Sequence, residues 1–188
     1  MEALVTDTKN DVGLIPDEMA LSQGHDRAPV DESQYISFRV GDGQYAVDIM
    51  WCREIKGWTE ITSLPNQPKY VRGVLNLRGI VVPIIDLRSR FWDESTEATP
   101  MHVVIIVNVG EQIVGLLVDA VSDIISIERD RIKDVPEAGQ STDARYLKGL
   151  IAFGEEMVAI LSLVDLLQDE SFDHLNDAQE TVSAQSNN

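Results

Sequence analysis

From residue 35 onward, apolar and polar positions alternate. Ile36, Phe38 and Val40 fall on one face, with Tyr35, Ser37 and Arg39 on the other. That period of two predicts a β-strand. Gly41-Asp42-Gly43 follows as a tight turn, and residues 44–49 return as a second strand. The same stretch spells G-x-G-x-x-A from Gly41 to Ala46, but a dinucleotide fingerprint needs a helix after it, and here a strand pattern follows. Ile49, Cys52 and Ile55 recur at helical spacing. Residues 58–64 read as a strand closed by Pro65 and Pro68, and residues 74–77 and 80–85 as strands separated by Arg78-Gly79. Residues 103–109 and 113–118 form a hairpin around Gly110-Glu111, and 124–127, 150–153 and 157–161 complete the set. Many short strands divided by turn signals predict a mainly β chain built as small barrels or a sandwich.

The chain also resembles itself. Tyr70-Val71-Arg72-Gly73-Val74-Leu75 matches Tyr146-Leu147-Lys148-Gly149-Leu150-Ile151 at an offset of 76, and Val82, Ile84, Ile85 and Leu87 meet Val158, Ile160, Leu161 and Leu163. In the same register Asp86 meets Ser162. Each is a good helix N-cap after an apolar strand. At an offset of 69, Ala46, Val47, Ile49, Cys52, Glu54 and Ile55 pair with Gly115, Leu116, Val118, Val121, Asp123 and Ile124. Two similar units are expected, at about 34–92 and 102–167. Units of about 60 residues are marginal alone, so a shared core is expected, with a groove between them as a natural partner site.

Charge separates the ends from the middle. The net charge is −17, with −6 in residues 1–33 and −5 in 168–188. This balance opposes nucleic-acid binding, which needs a basic footprint. Both ends are polar and poor in aromatics, which predicts an unstructured acidic tail at 1–33 and an acidic, partly helical tail at 169–188. The N-terminus lacks the basic start and apolar stretch of a signal peptide. No uncharged run approaches the ~20 apolar residues of a membrane helix. With a single cysteine, Cys52, a cytoplasmic address is the default expectation.

Catalytic chemistry is hard to find. His25 and His174 fall in the tails, His102 opens a strand, and no cluster has metal-ligand spacing. Cys52 lies among apolar residues without a neighbouring base, which suits packing or partner contact. Residues 69–90 hold Lys69, Arg72, Arg78, Arg88 and Arg90 against one acid, Asp86. Arg78 sits at a tight turn, where its guanidinium either caps local carbonyls or reaches a partner's carboxylate. These features favour a binding module over an enzyme.

The segment Gly73-Val-Leu-Asn-Leu-Arg-Gly-Ile-Val-Val-Pro-Ile-Ile-Asp-Leu-Arg88 closely resembles the signature of the CheW family of bacterial chemotaxis coupling proteins. The likeness continues through the Gly-Asp-x-x-Tyr turn, Ile49-x-x-x-x-Glu54-Ile55, Val114–Asp123 and Tyr146-Leu-Lys-Gly149, and so covers about 34–168. It implies two five-stranded barrels resembling SH3 domains around a shared core, with few short helices and a C-terminal helix. It also implies a non-catalytic adaptor without cofactor or metal, bridging the cytoplasmic tips of chemoreceptors to the histidine kinase CheA at membrane-associated arrays. Receptor-facing positions fall on Cys52, Glu54, Gly73 and Arg78. The kinase-facing surface falls on a strand from Lys56 through Trp58 to Ile61, with Lys133 as a second contact. Cys52 replaces a common β-branched residue, and Ala46 a frequent glycine. The competing readings are a small β-barrel ligand-binding protein or enzyme using the groove, and the same adaptor role in a non-flagellar pathway.

Overall fold

Backbone pairing extends most of the expected strands beyond their apolar stretches. The computed structural model describes residues 32–136 and 142–168, so the expectations for 1–31 and 169–188 lie outside the described residues. In the first half the strands are β1 (Glu32–Val40), β2 (Gly43–Asp48), β3 (Cys52–Gly57), β4 (Val71–Leu77) and β5 (Ile80–Asp86), followed by helix α1 (Leu87–Trp92). In the second half they are β6 (Val103–Val109), β7 (Gln112–Val118), β8 (Ala120–Glu128), β9 (Leu147–Phe153) and β10 (Glu156–Leu161), followed by α2 (Leu163–Leu167). Strand β1 begins inside the span expected as tail, because Glu32 and Ser33 pair with Glu128 and Ile127 of β8. The helical spacing of Ile49, Cys52 and Ile55 resolves into one 3-10 turn, Ile49–Trp51, and then β3. Residues 58–64 are not a strand. Only Thr62 pairs, in an isolated bridge to Val74, so Trp58 and Ile61 lie in an irregular stretch.

Two five-stranded sheets result, in the orders β8-β1-β2-β10-β9 and β3-β6-β7-β5-β4. They do not coincide with the repeat units at 34–92 and 102–167, since each unit supplies strands to both sheets. Exchanging β1–β5 for β6–β10 converts one strand order into the other. The equivalence reaches single residues. Ala46 pairs with Ile160 in the parallel β2–β10 ladder, and Gly115 pairs with Ile84 in the parallel β7–β5 ladder. A bulge lets β8 skip Ser122 opposite β1, and its counterpart lets β3 skip Arg53 opposite β6. Register equivalence of this kind is not what generic Val- and Ile-rich strands produce, and it follows the offsets of 69 and 76 read in the sequence.

Because inner strands are covered on both faces, their sequences run apolar without a break. Along β6, Val104 and Ile106 join a cluster within the second sheet that includes Leu75, Leu77, Val82, Ile84 and Leu117. Ile105 and Val107 instead face a larger cluster between the sheets, with Phe38, Leu87, Leu116 and Leu166 among its members. A third cluster lies within the first sheet around Tyr35, Ile125, Ile151 and Ile160. The single shared core expected from sequence is thus three clusters, the largest of them between the sheets.

Each sheet is closed by the chain leaving its edge strand. Thr62, after β3, exchanges two backbone hydrogen bonds of 2.8 and 2.9 Å with Val74 of β4. Lys133, after β8, does the same with Leu150 of β9, both at 2.8 Å. A glycine precedes each bridge partner. Gly73 has φ +139°, and a Cβ there would overlap the Thr62 carbonyl. At Gly149 a Cβ would stand 2.5 Å from Ile132 Cγ2 and 2.9 Å from the Lys133 carbonyl oxygen.

The two expected caps are present. Asp86 is fully buried and accepts from the backbone N–H groups of Arg88, Ser89 and Thr96 and from the Thr96 hydroxyl, at 2.7–3.2 Å. It therefore starts α1 and pins the linker that follows. Ser162 accepts one bond, from Asp165 N–H at 3.3 Å. Asp86→Ala is expected to cost about 3 kcal/mol, because several buried donors lose their acceptor. Ser162→Ala should cost about 1 kcal/mol, as an ordinary cap does. Equal losses in urea titrations would contradict this placement. Gly73→Ala should cost about 3 kcal/mol, since positive φ and backbone overlap combine. Gly149→Ala should cost less, about 1–2 kcal/mol, because Gly149 lacks the positive φ of Gly73 and a Cβ meets the Lys133 carbonyl oxygen at 2.9 Å rather than overlapping it. Thermal unfolding of the two variants checks the order.

Candidate functional site

The basic stretch that stood out in the sequence does not form one positive patch. Its five cations turn to five separate partners. Lys69 Nζ lies 3.1 Å from Asp93, where both side chains are 73% exposed. Arg72 approaches buried Asp86 at 3.9 Å, and Arg88 donates to Asp119 at 2.8 Å. Arg90 donates to the Tyr146 hydroxyl, and its guanidinium lies over the rings of Tyr70 and Tyr146 at 4.3 and 4.8 Å. Since Tyr70 and Tyr146 are repeat equivalents, Arg90 sits between matching residues of the two halves.

Arg78 is the fifth. It meets Glu54 at 3.2 Å, with Arg78 80% exposed and Glu54 29% exposed. Glu54 lies on β3 and Arg78 at the tip of the β4–β5 hairpin, so the pair spans the two edge strands of one sheet. Of the two sequence possibilities for Arg78, the carboxylate is realised within the chain, by Glu54. The turn amide of Gly79 donates to the Asn76 side-chain oxygen at 2.8 Å.

Backbone geometry makes Arg78 unusual. Leu77 pairs with Ile80, leaving Arg78-Gly79 as a two-residue loop with φ +53° and +90°. Positive φ at both positions suits Asn or Gly, and an arginine there costs about 1 kcal/mol. An exposed ion pair returns about 0–1 kcal/mol. Strain and pairing therefore nearly cancel, and Arg78 contributes little to stability. At the equivalent place in the β9–β10 hairpin stands Gly154, with φ +63°, which carries no such strain.

The other expected receptor-facing residues divide. Cys52 is half-buried on β3, two residues before Glu54, and packs against the cluster between the sheets. Burial pushes its thiol up, partly offset by a hydrogen bond at the Glu54 backbone. It thus stays a neutral, apolar contact rather than a thiolate nucleophile. Gly73 lies on the opposite edge strand, and the close approach it permits is to Thr62 within the fold.

The expected kinase-facing set is not brought together. Lys56 is half-buried on β3, and Trp58 and Ile61 pack at the fringe of the second sheet's core. Lys133 is exposed on the closing bridge of the other sheet.

Two features escaped the sequence reading. Asp119, at the crossover from β7 to β8, accepts from Gly41 N–H at 2.7 Å and from Arg88 at 2.8 Å, and its other oxygen lies 3.6 Å from His102 Nε2. It ties the β1–β2 turn to α1 and the start of β6; the residue lies within the Val114–Asp123 motif, but nothing in the sequence announces these partners. His102 in turn accepts from Thr99 N–H at 3.1 Å, which makes it a structural histidine. Ile124, Phe153 and Met157, read as ordinary strand residues, are 53%, 49% and 54% exposed on the first sheet. No group of three or more potential metal ligands converges among the described residues. No helix among them is long and apolar enough to cross a membrane.

Comparison with known proteins agrees with this architecture. Residues 34–171 match the family model described as the CheW-like domain. The probable chemotaxis protein CheW of Rhizobium etli is 40% identical over 138 residues, covering 73% of this chain and 89% of that protein. The chemotaxis protein CheW of Klebsiella aerogenes is 38% identical over 137 residues, covering 73% and 82%. Among solved structures, the scaffolding protein TtCheW of Thermoanaerobacter tengcongensis superposes with a TM-score of 0.69 at 28% identity, covering 78% of this chain and 94% of that one. With its signature segment, two five-stranded sheets and family match in agreement, the chain belongs to the CheW-like domain family.

Proposed function

We propose that this chain is a non-catalytic chemotaxis adaptor that couples chemoreceptor cytoplasmic tips to the histidine kinase CheA. On this reading it works at membrane-associated arrays, on their cytoplasmic side, and needs no cofactor. The observation that carries the reading is Arg78. A cation 80% exposed on a strained turn, contributing little to the fold, has its use outside it. A partner carboxylate can take over or share its guanidinium, while Glu54 holds the side chain ready and offers the opposite charge. Cys52 adds apolar contact beside this pair. Gly73 acts through the closure of β4 onto Thr62, which supports the hairpin that carries Arg78.

For the kinase, Lys56 on β3 and Lys133 on the other sheet are the polar contacts, with Trp58 and Ile61 shaping the surface from beneath. Lys133, on the sheet that lacks Glu54 and Arg78, suits a second partner held at the same time, whereas Lys56 shares β3 with the receptor-facing residues.

Arg78→Gly separates function from stability. Relief of positive φ offsets the lost ion pair, so the melting temperature should change by no more than a few degrees. Receptor-dependent stimulation of CheA autophosphorylation should fall at least tenfold at limiting adaptor. Full stimulation by the variant would contradict a receptor role for Arg78.

A further inference from the structure

Of the eight strand ladders among the described residues, four join one half of the chain to the other: β1–β8, β2–β10, β3–β6 and β5–β7. Within a half, only hairpins remain: β1–β2 and β4–β5 in the first, β6–β7 and β9–β10 in the second. Neither half can complete a sheet by itself. The four joining ladders form two pairs related by the repeat, β1–β8 with β6–β3 and β2–β10 with β7–β5. The contact between the halves therefore has the two-fold, self-complementary form of a homodimer interface.

Residues 93–102 link the halves, and they are anchored at two points. Thr96 is buried on Asp86 of the first half, and Thr99 is bound to His102 at the start of the second. Only Glu97 and Ala98 lie between the anchors. Each anchoring side chain stays within its own half, but Ala98 packs against the core cluster of the second sheet and the His102 carbonyl accepts from Trp58 N–H of the first half at 2.9 Å, so a new backbone path at 97–98 must free Ala98, and the Trp58–His102 bond must re-form between chains.

We propose that the partner this interface fits is a second copy of the chain. Two chains trade halves, each first half closing on the second half of the other. Every ladder and cap of the single chain is re-formed in such a dimer, and the packing of Ala98 on the second sheet's cluster is what the exchange gives up. The balance is set by concentration and by the strain of the 97–98 hinge, and exchange is slow because four ladders must open. The dimer carries two complete folds and two Glu54–Arg78 surfaces, so it would engage paired partners by avidity.

The test uses full-length chain with a protease recognition sequence inserted between Glu97 and Ala98, prepared with and without uniform ¹⁵N. The two forms are mixed, then either refolded from urea at rising concentration or held native just below the unfolding temperature. Dimer-sized and monomer-sized fractions are cut at the hinge and weighed by native mass spectrometry. A mixture made only after separate refolding sets the background. The expected result is a dimer fraction that grows with concentration. About half of its cut units should be label-mismatched, a quarter pairing a labelled first half with an unlabelled second half and a quarter the reverse, as random exchange requires. Label-matched units alone, or no dimer under either regime, would overturn the proposal. So would halves that separate once the monomer is cut.

Discussion

The parallel ladders β2–β10 and β5–β7 are the constraint on which the rest of the molecule depends. Each joins a hairpin of one half to a strand of the other, so that β1–β2 lies between β8 and β10 and β6–β7 between β3 and β5, and both sheets are complete only when the halves interlock. Ala46 and Gly115 mark these places with small residues opposite Ile160 and Ile84. At Gly115 a Cβ would stand 2.5 Å from the Ile84 side chain and 2.7 Å from that of Val104, so any larger residue requires these neighbours to shift. Two units of marginal size thereby form one body with three apolar clusters, the largest between the sheets.

Duplication also shows where the halves have parted. The crossover from β7 to β8 carries Asp119, a partly buried polar clamp on Gly41 and Arg88. Its counterpart from β2 to β3 carries Met50, 84% exposed. At the hairpin tips, Arg78 faces Gly154. Ser162 caps α2 with one hydrogen bond, whereas Asp86 also secures the linker. The hairpin tips therefore differ on a common frame, with Arg78 held by Glu54 on one sheet and Phe153 and Met157 exposed on the other, while Ile55 and Ile124 are exposed at equivalent places on both. An adaptor for dissimilar partners requires unlike surfaces of this kind.

Much of this was legible in the chain. Period-two alternation, the glycine turns, the caps at Asp86 and Ser162 and the offset repeat all reflect local rules, and each has its place in the structure. Strand exchange was not legible, because repeat spacing says which segments are alike and nothing about which ones pair. The strand expected at 58–64 failed for a related reason: its apolar residues serve the core fringe while its backbone makes a single bridge. Of the candidate site, Glu54 and Arg78 were named from a motif, and only the fold explains why they meet across two edge strands. Lys133 was grouped with Trp58 and Ile61 although it closes the other sheet. The five cations looked like a patch in one dimension and disperse in three.

The claim that matters most is that the Glu54–Arg78 pair faces outward as a docking surface rather than serving as a brace. Reversing both charges, with Glu54→Arg and Arg78→Glu in one chain, tests it directly. The ion pair can re-form with opposite polarity, so thermal unfolding should stay within a few degrees of the original. Receptor-coupled stimulation of CheA should nonetheless be lost, because a partner now meets each charge with its like. A folded double reversal that still couples receptor to kinase would show that the pair only braces the hairpin, and would remove it from the interface.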